Sequence, residues 1–211
     1  MARTYFEIIF LWGIVLQIIL LWPYLLDLIT KKQPDYFSKR ERLLLLYAFT
    51  GFMLLPLIYV FTTWFSFFDY NLPTLIGFLA ALLYFFGIWL LFKAYRELGP
   101  NWSPGPEIRE GHILIITGVF KWVRHPIYAA YASMAVAQIF MLQNWFVGPA
   151  FLLLATPFYR YRVQLEEQYL TRYFGDQYLA YRKQTNALYP KTEQIDFRMI
   201  LERIKSFKKR R

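Results

Sequence analysis

Three stretches without a charged side chain, Ile8 to Leu26, Leu43 to Phe68 and Leu72 to Phe92, decide most of what this chain can fold into. One helical crossing of a bilayer core takes roughly 20 consecutive apolar residues. Inside that core only a helix or a closed barrel satisfies its own backbone, so three membrane helices are expected. Two shorter uncharged runs follow, Ile127 to Leu142 and Trp145 to Phe158, parted only by Gln143 and Asn144. They read as a tight helical hairpin whose ends are stretched by flanking residues, or which stops short of a full crossing. The expected fold class is an all-α integral membrane protein with five membrane helices and a cytoplasmic C-terminal helical segment. It divides into 1–92 (three N-terminal membrane helices), 93–126 (cytoplasmic linker or lid), 127–159 (membrane hairpin) and 160–211 (cytoplasmic helices and a basic amphipathic tail), all one functional domain.

The first run exceeds the usual core of a signal peptide and lacks a small-residue cleavage site before "WPYLLDLITKK", so it is kept as a span. Orientation follows from the basic residues. Lys31, Lys32, Lys39, Arg40 and Arg42 lie between the first two runs, and Lys93, Arg96, Arg109, Lys121 and Arg124 follow the third. The connections "FDYN" and "QN" carry none. Positive loops stay inside, which puts the N-terminus on the non-cytoplasmic side and the C-terminus in the cytoplasm.

The net charge of +10 comes mostly from residues flanking apolar runs, which points to anionic headgroups as partners and away from nucleic acid. With no cysteine, disulfides, thiolate nucleophiles and thiol-rich zinc sites are excluded, and the two histidines, His112 and His125, are not at helical spacing, so no metal is expected. In the tail, Phe197, Ile200, Leu201, Ile204 and Phe207 recur at helical spacing among arginines and lysines, the pattern of a basic helix lying on a membrane.

Chemistry concentrates where "KWVRHPIY" meets the fourth apolar run. Proline is favoured at the first helical position, which places Pro126 at the helix start and His125 just outside. A helix start offers unpaired N–H groups and partial positive charge. Arg124 and His125 add donors there, giving the makings of an anion site. The alternative is that Arg124 meets lipid phosphate and His125 caps the helix. Upstream, "ELGPNWSPGPEIREGHILIITGVF" carries too many glycines and prolines for a span or a long helix and reads as a lid or hairpin at the membrane face. Downstream, in "RVQLEEQYLTRYF", Arg162 and Glu166 are one helical turn apart. Glu167 shares a face with Val163, Leu170 and Phe174, where a carboxylate needs a partner or a ligand. A helix stop is expected at Gly175, with a second helix beyond. Pro56, Pro149 and Pro157 either kink their helices to open a lateral path for a lipid tail or simply pack.

The runs "LGPNWSP", "EGHILIITGVFKWVRHPIY" and "RVQLEEQYLTRYFGDQYLAYRKQTNALYP" together resemble the isoprenylcysteine carboxyl methyltransferase family, with its Arg-His-Pro-x-Tyr motif and downstream Glu-Glu pair. The likeness covers Glu97 to Pro190; Val119 stands where many relatives have proline. The resemblance implies a membrane enzyme with S-adenosylmethionine bound at the cytoplasmic face and a lipophilic or lipidated acceptor entering from the bilayer. It implies that His125, Pro126 and Tyr128 contact the amino-acid end of that cofactor, that Arg124 supports them, and that Glu166 or Glu167 holds the ribose or the amino group. Tyr178, Tyr181 and Thr185 are implied as the adenosine wall, and His112 and Leu114 as further contacts. Arg109, Lys121, Arg160 and Arg162 are candidate clamps for an acidic acceptor; Arg124, Arg162, Glu166 and Glu167 are the candidate catalytic set. A carboxylate acceptor needs no base, whereas an amine must lose a proton. Alternatives are a phospholipid amine N-methyltransferase and an NADPH-dependent membrane reductase of related fold. A non-catalytic membrane protein and a transporter are further readings, the latter disfavoured because the spans hold no ionisable residue.

Overall fold

The structure is a computed structural model that describes residues 2–30, 37–103, 105 and 111–191. The basic tail from 192 onward, and Lys31, Lys32 and Arg109, lie outside the described residues. The described residues form seven α-helices and hold no strand, only isolated bridges. They are α1 (Ala2–Thr30), α2 (Lys39–Phe49), α3 (Leu55–Phe61), α4 (Thr74–Leu98), α5 (Pro126–Leu142), α6 (Val147–Phe174) and α7 (Asp176–Gln184). Three continuous helical stretches, Thr4–Tyr24, Lys39–Phe61 and Thr74–Asn101, are long and apolar enough to cross a membrane. The all-helical expectation holds.

The second apolar run is two helices in one. Ser38 caps α2 in a capping box with Glu41, and a π-helical turn, Thr50–Leu54, joins α2 to α3. The turn has an identifiable cause. Leu55 N–H bonds Thr50 O, and Pro56, next in line, has no N–H for the Gly51 carbonyl. That carbonyl is taken instead by Gln138 Nε2 of α5 at 3.1 Å. The helix then ends at Phe61, earlier than the run to Phe68 suggested: Thr62 turns extended and its hydroxyl bonds back to Ile58 O at 2.7 Å.

Helices approach closely where glycine faces a neighbour. A Cβ on Gly51 would stand 2.6 Å from Ala150 O of α6, and one on Gly87 of α4 2.7 Å from Met134 Cγ of α5. Without a hydrophobic driving force between spans, such close backbone packing is what holds membrane helices together. The α5–α6 hairpin turns at Gln143, in the left-handed region at φ 49. Its two polar residues serve this turn. Asn144 Oδ1 accepts from Phe146 and Val147 N–H, while Asn144 Nδ2 donates to Phe65 O and Asp69 Oδ1, both at 2.8 Å. Tyr59 O–H joins the same carboxylate at 3.0 Å. From this turn α6 runs unbroken past Tyr159, where the sequence suggested a new surface helix, to the stop at Gly175, φ 52. In an antiparallel pair this register brings the start of α5 level with Arg162 and leaves the last turns of α6 to pass beside it.

Candidate functional site

Pro126 occupies the first turn of α5 with His125 as its N-cap, as the sequence indicated. The backbone ahead of the helix is held by the chain that follows α7. Arg124 N–H bonds Asn186 O at 3.0 Å, His125 N–H bonds Ala187 O at 2.9 Å, and Val123 and Asn186 form a parallel bridge. The C-terminal segment therefore straps the Arg-His-Pro stretch in place.

Both glutamates of α6 face this stretch. Arg124 grips Glu167 through Nε at 3.0 Å and Nη2 at 2.8 Å. Its Nη1 donates to the carbonyls of Arg182 and Thr185 at the end of α7. This is the partner that Glu167 needed on its apolar face. Glu166 Oε1 accepts from Tyr128 O–H at 2.5 Å and from Arg162 Nη2 at 2.9 Å, and its Oε2 stands 3.3 Å from His125 Nδ1. Burial pushes the His125 imidazole down, but the facing carboxylates of Glu166 and Glu167 outweigh it and hold His125 above its ordinary pKa. Burial pushes Glu167 up; His125 and Arg124 more than offset that and bring it to about 2. Glu166 is lowered likewise, its burial outweighed by His125 and Arg162.

A cavity of about 380 Å³ opens onto this cluster. Arg124, His125, Pro126, Tyr128, Arg162 and Glu166 line its polar side, together with His112. Its apolar side is built from Phe37, Leu45, Tyr95, Trp102, Tyr131 and Phe158. The described parts of the glycine- and proline-rich segment after α4 border it: Asn101 Oδ1 accepts from Ile113 N–H at 3.0 Å, and Asn101, Trp102 and Ser103 lie on the wall. Glu167 and Leu114 are outside the lining. Tyr178, Tyr181 and Thr185 are buried behind Arg124 instead: Tyr181 O–H bonds Phe120 O at 2.5 Å, and Thr185 O–H bonds Tyr181 O at 2.9 Å. Of the candidate clamps, Arg162 reaches the cavity, whereas Lys121 and Arg160 are exposed outside its lining.

Several contributors have no clear mark in the sequence. Tyr95, Trp102 and Tyr131 are three aromatics among many. Asn186 and Ala187 act through their carbonyls, which no side-chain pattern reveals. Glu41 is the exception, since "SKRE" is a capping box that could have placed the start of α2, though not the contact of Glu41 with Arg162.

The chemistry of the donor set can be tested on one atom. His125 Nε2 is buried and makes no hydrogen bond; Glu167 Oε1 lies 3.5 Å away, at ion-pair distance but without hydrogen-bond geometry. A histidine with one nitrogen not hydrogen-bonded, at a helix start and lining a cavity beside Arg124, suits a ligand carboxylate. Glu166 and Tyr128 offer acceptors for an ammonium or hydroxyl, and the aromatic side offers a flat apolar surface. These residues fit S-adenosylmethionine.

The fold and this cleft define a helical membrane protein with a polar, ligand-sized site at one end of its bundle. Comparison with known proteins supports the resemblance read from the motifs: residues 79–172 match the isoprenylcysteine carboxyl methyltransferase (ICMT) family. The protein-S-isoprenylcysteine O-methyltransferase of Schizosaccharomyces pombe is 31% identical over 99 residues, 46% of this chain and 42% of that protein. The protein of the same name from Homo sapiens is 33% identical over 104 residues, 48% of this chain and 37% of that one. The one from Dictyostelium discoideum is 27% identical over 170 residues, 77% and 69% respectively. The chain thus spans well under half the length of the first two. The solved structure of the eukaryotic intramembrane Ras methyltransferase ICMT superposes with a TM-score of 0.53 at 22% identity, covering 83% of this chain and 60% of that one, a likeness of fold.

Proposed function

We propose that this chain is an integral membrane methyltransferase that moves a methyl group from S-adenosylmethionine to the carboxylate of an isoprenylcysteine-type acceptor. The observation that carries the reading is that His125, whose buried Nε2 makes no hydrogen bond, lines one cavity together with Arg124, Glu166 and Tyr128. The named relatives and the matched segment, which contains His125, Tyr128, Arg162 and Glu166, support the reaction class.

When bound, the cofactor supplies an electrophilic methyl on a sulfonium. The chain's own part is binding and orientation. His125 and Arg124 receive a carboxylate at the mouth of α5, Glu166 accepts from an ammonium or ribose hydroxyl, and Arg162 holds Glu166. Glu167 keeps the Arg124 guanidinium in place from behind. The acceptor's carboxylate is already a nucleophile, so no side chain has to remove a proton. The lipid part lies along Tyr95, Trp102, Tyr131 and Phe158, which exclude water from the reacting end, and rate then comes from alignment in a dry site. Five membrane segments, with the lid and the C-terminal helices on the cytoplasmic side and the basic tail on anionic headgroups, complete the reading. Single cysteines placed at Asn71 and Lys183 of this cysteine-free chain test the topology, and labelling of both from the same side refutes it.

The deciding measurement is calorimetric binding of S-adenosylhomocysteine to the detergent-solubilised protein, with NADPH in parallel. Micromolar binding that is lost in His125→Ala and Glu166→Gln supports the assignment. Binding of NADPH instead, or no binding of S-adenosylhomocysteine, refutes it.

A further inference from the structure

Glu41 lies in α2, outside the segment matched to the family, yet its side chain reaches the site. It is buried at 4% exposure, and it is shared between two tasks. Its Oε2 accepts from Ser38 N–H at 2.8 Å, which closes the capping box of α2. Its Oε1 accepts from Arg162 Nη1 at 3.3 Å. The same guanidinium gives Nη2 and Nε to Glu166 Oε1 at 2.9 and 3.2 Å, and it lies 5.9 Å from the centre of the Phe37 ring, the residue just ahead of the cap. Among its described partners, one buried cation thus serves a carboxylate on the cavity wall and a carboxylate behind it.

We propose that Glu41 is a positioning residue: by holding one edge of the Arg162 guanidinium, it fixes the rotation of that group and keeps part of its charge away from Glu166. This deepens, and rests on, the methyltransferase reading, because Glu166 is there the acceptor for the cofactor's ammonium or ribose. If the charge of Glu41 is removed, Arg162 shifts toward Glu166 and weakens it as an acceptor. Members of a buried, hydrogen-bonded ion cluster are coupled, so removing one changes what the others can pair with. The arrangement also explains why the N-terminal helices matter to a site whose motifs all lie further along the chain.

Two single variants separate charge from capping. Glu41→Gln retains an N3 side chain able to complete the capping box but loses the negative charge. Ser38→Ala loses the hydroxyl half of the box, the Glu41 N–H to Ser38 Oγ bond of 3.2 Å, and retains the charge. S-adenosylhomocysteine binding is expected to weaken about tenfold in Glu41→Gln and to stay within twofold of wild type in Ser38→Ala. A second readout needs no ligand. In protein labelled with 15N-arginine, the Nη signals of Arg162, assigned by their loss in Arg162→Lys, are expected to be separate in wild type and Ser38→Ala and merged by faster guanidinium rotation in Glu41→Gln. Binding in Glu41→Gln within twofold of wild type, an equal loss in Ser38→Ala, or Nη signals unchanged by Glu41→Gln each overturns the proposal. If wild type does not bind S-adenosylhomocysteine, the function proposed above falls, while the Nη signals still decide whether Glu41 holds Arg162.

Discussion

Arg124 does two jobs with one guanidinium, and replacing it with alanine should release the C-terminal strap. Nε and Nη2 hold Glu167 at 3.0 and 2.8 Å, and Nη1 caps the last carbonyls of α7, those of Arg182 and Thr185. Breaking a buried, hydrogen-bonded ion pair by removing one partner costs about 3–5 kcal/mol. The Glu167 side chain keeps 13% exposure and has a second cation, Arg182 Nε, at 3.4 Å, so its loss is partly screened. The expected cost is about 2 kcal/mol, which falls on the local opening of residues 176–191 because Arg124 joins that segment to α6. Two kcal/mol raises the open population about thirtyfold. Trypsin reads this directly at Arg182 and Lys183, both exposed, with exposed Arg172 in α6 as the internal control. In detergent, cleavage after Arg182 or Lys183 should speed up about thirtyfold in Arg124→Ala while cleavage after Arg172 stays within about twofold. In combination with Glu167→Gln the two effects should be less than additive. Cleavage within twofold of wild type, or full additivity with Glu167→Gln, refutes the assignment of Arg124 as the clasp.

Glu167 contributes stability above the ordinary carboxylate range and loses it as pH falls toward about 2, whereas His125, held above its ordinary value, contributes fully below about 6.5 and loses it as pH climbs through the raised value. The thermal midpoint should therefore be highest between about pH 4.5 and 6.5, and His125→Gln should remove the fall on the alkaline side and, because His125 helps to lower Glu166 and Glu167, lessen the loss on the acid side. Gln138→Leu leaves the Gly51 carbonyl without its donor among packed helices and should cost about 1–3 kcal/mol, measured by unfolding in detergent. Gly118→Ala puts a Cβ 2.2 Å from Glu97 Oε2 at a φ of +58, so it should displace the carboxylate from Val119 N–H and lower the thermal midpoint, with Glu97→Gln alone doing less.

The sequence made the membrane helices legible because burial in lipid demands unbroken apolar runs, and Pro126, Gly175 and the Arg162–Glu166 pair were legible because their meaning is local. The early end of α3 was not, since Thr62 and Thr63 interrupt an apolar run without adding charge. The unbroken course of α6 was hidden for the opposite reason: charge begins at Arg160 while the backbone simply continues. The pairing of Arg124 with Glu167, and the retreat of Tyr178 and Tyr181 from the cavity to the space behind it, depend on how α7 folds back, and no spacing along the chain encodes that. The motif found the place; the carbonyls of Asn186 and Ala187, which secure it, have no letter of their own.

Because α6 is one rod from the hairpin turn to Gly175, its two ends share a phase. Ala150 is fixed against Gly51 at one end, and at the other Arg162 and Glu166 must line the cleft while Glu167 meets Arg124. A residue added or lost between Ala155 and Arg162 turns everything beyond it by about 100°, swinging both carboxylates off their partners while leaving every motif readable. A length change within α6 is therefore tolerated only near whole turns: a seven-residue insertion, close to two full turns, keeps both ends nearly in phase while moving the cleft about 10 Å further from the hairpin turn.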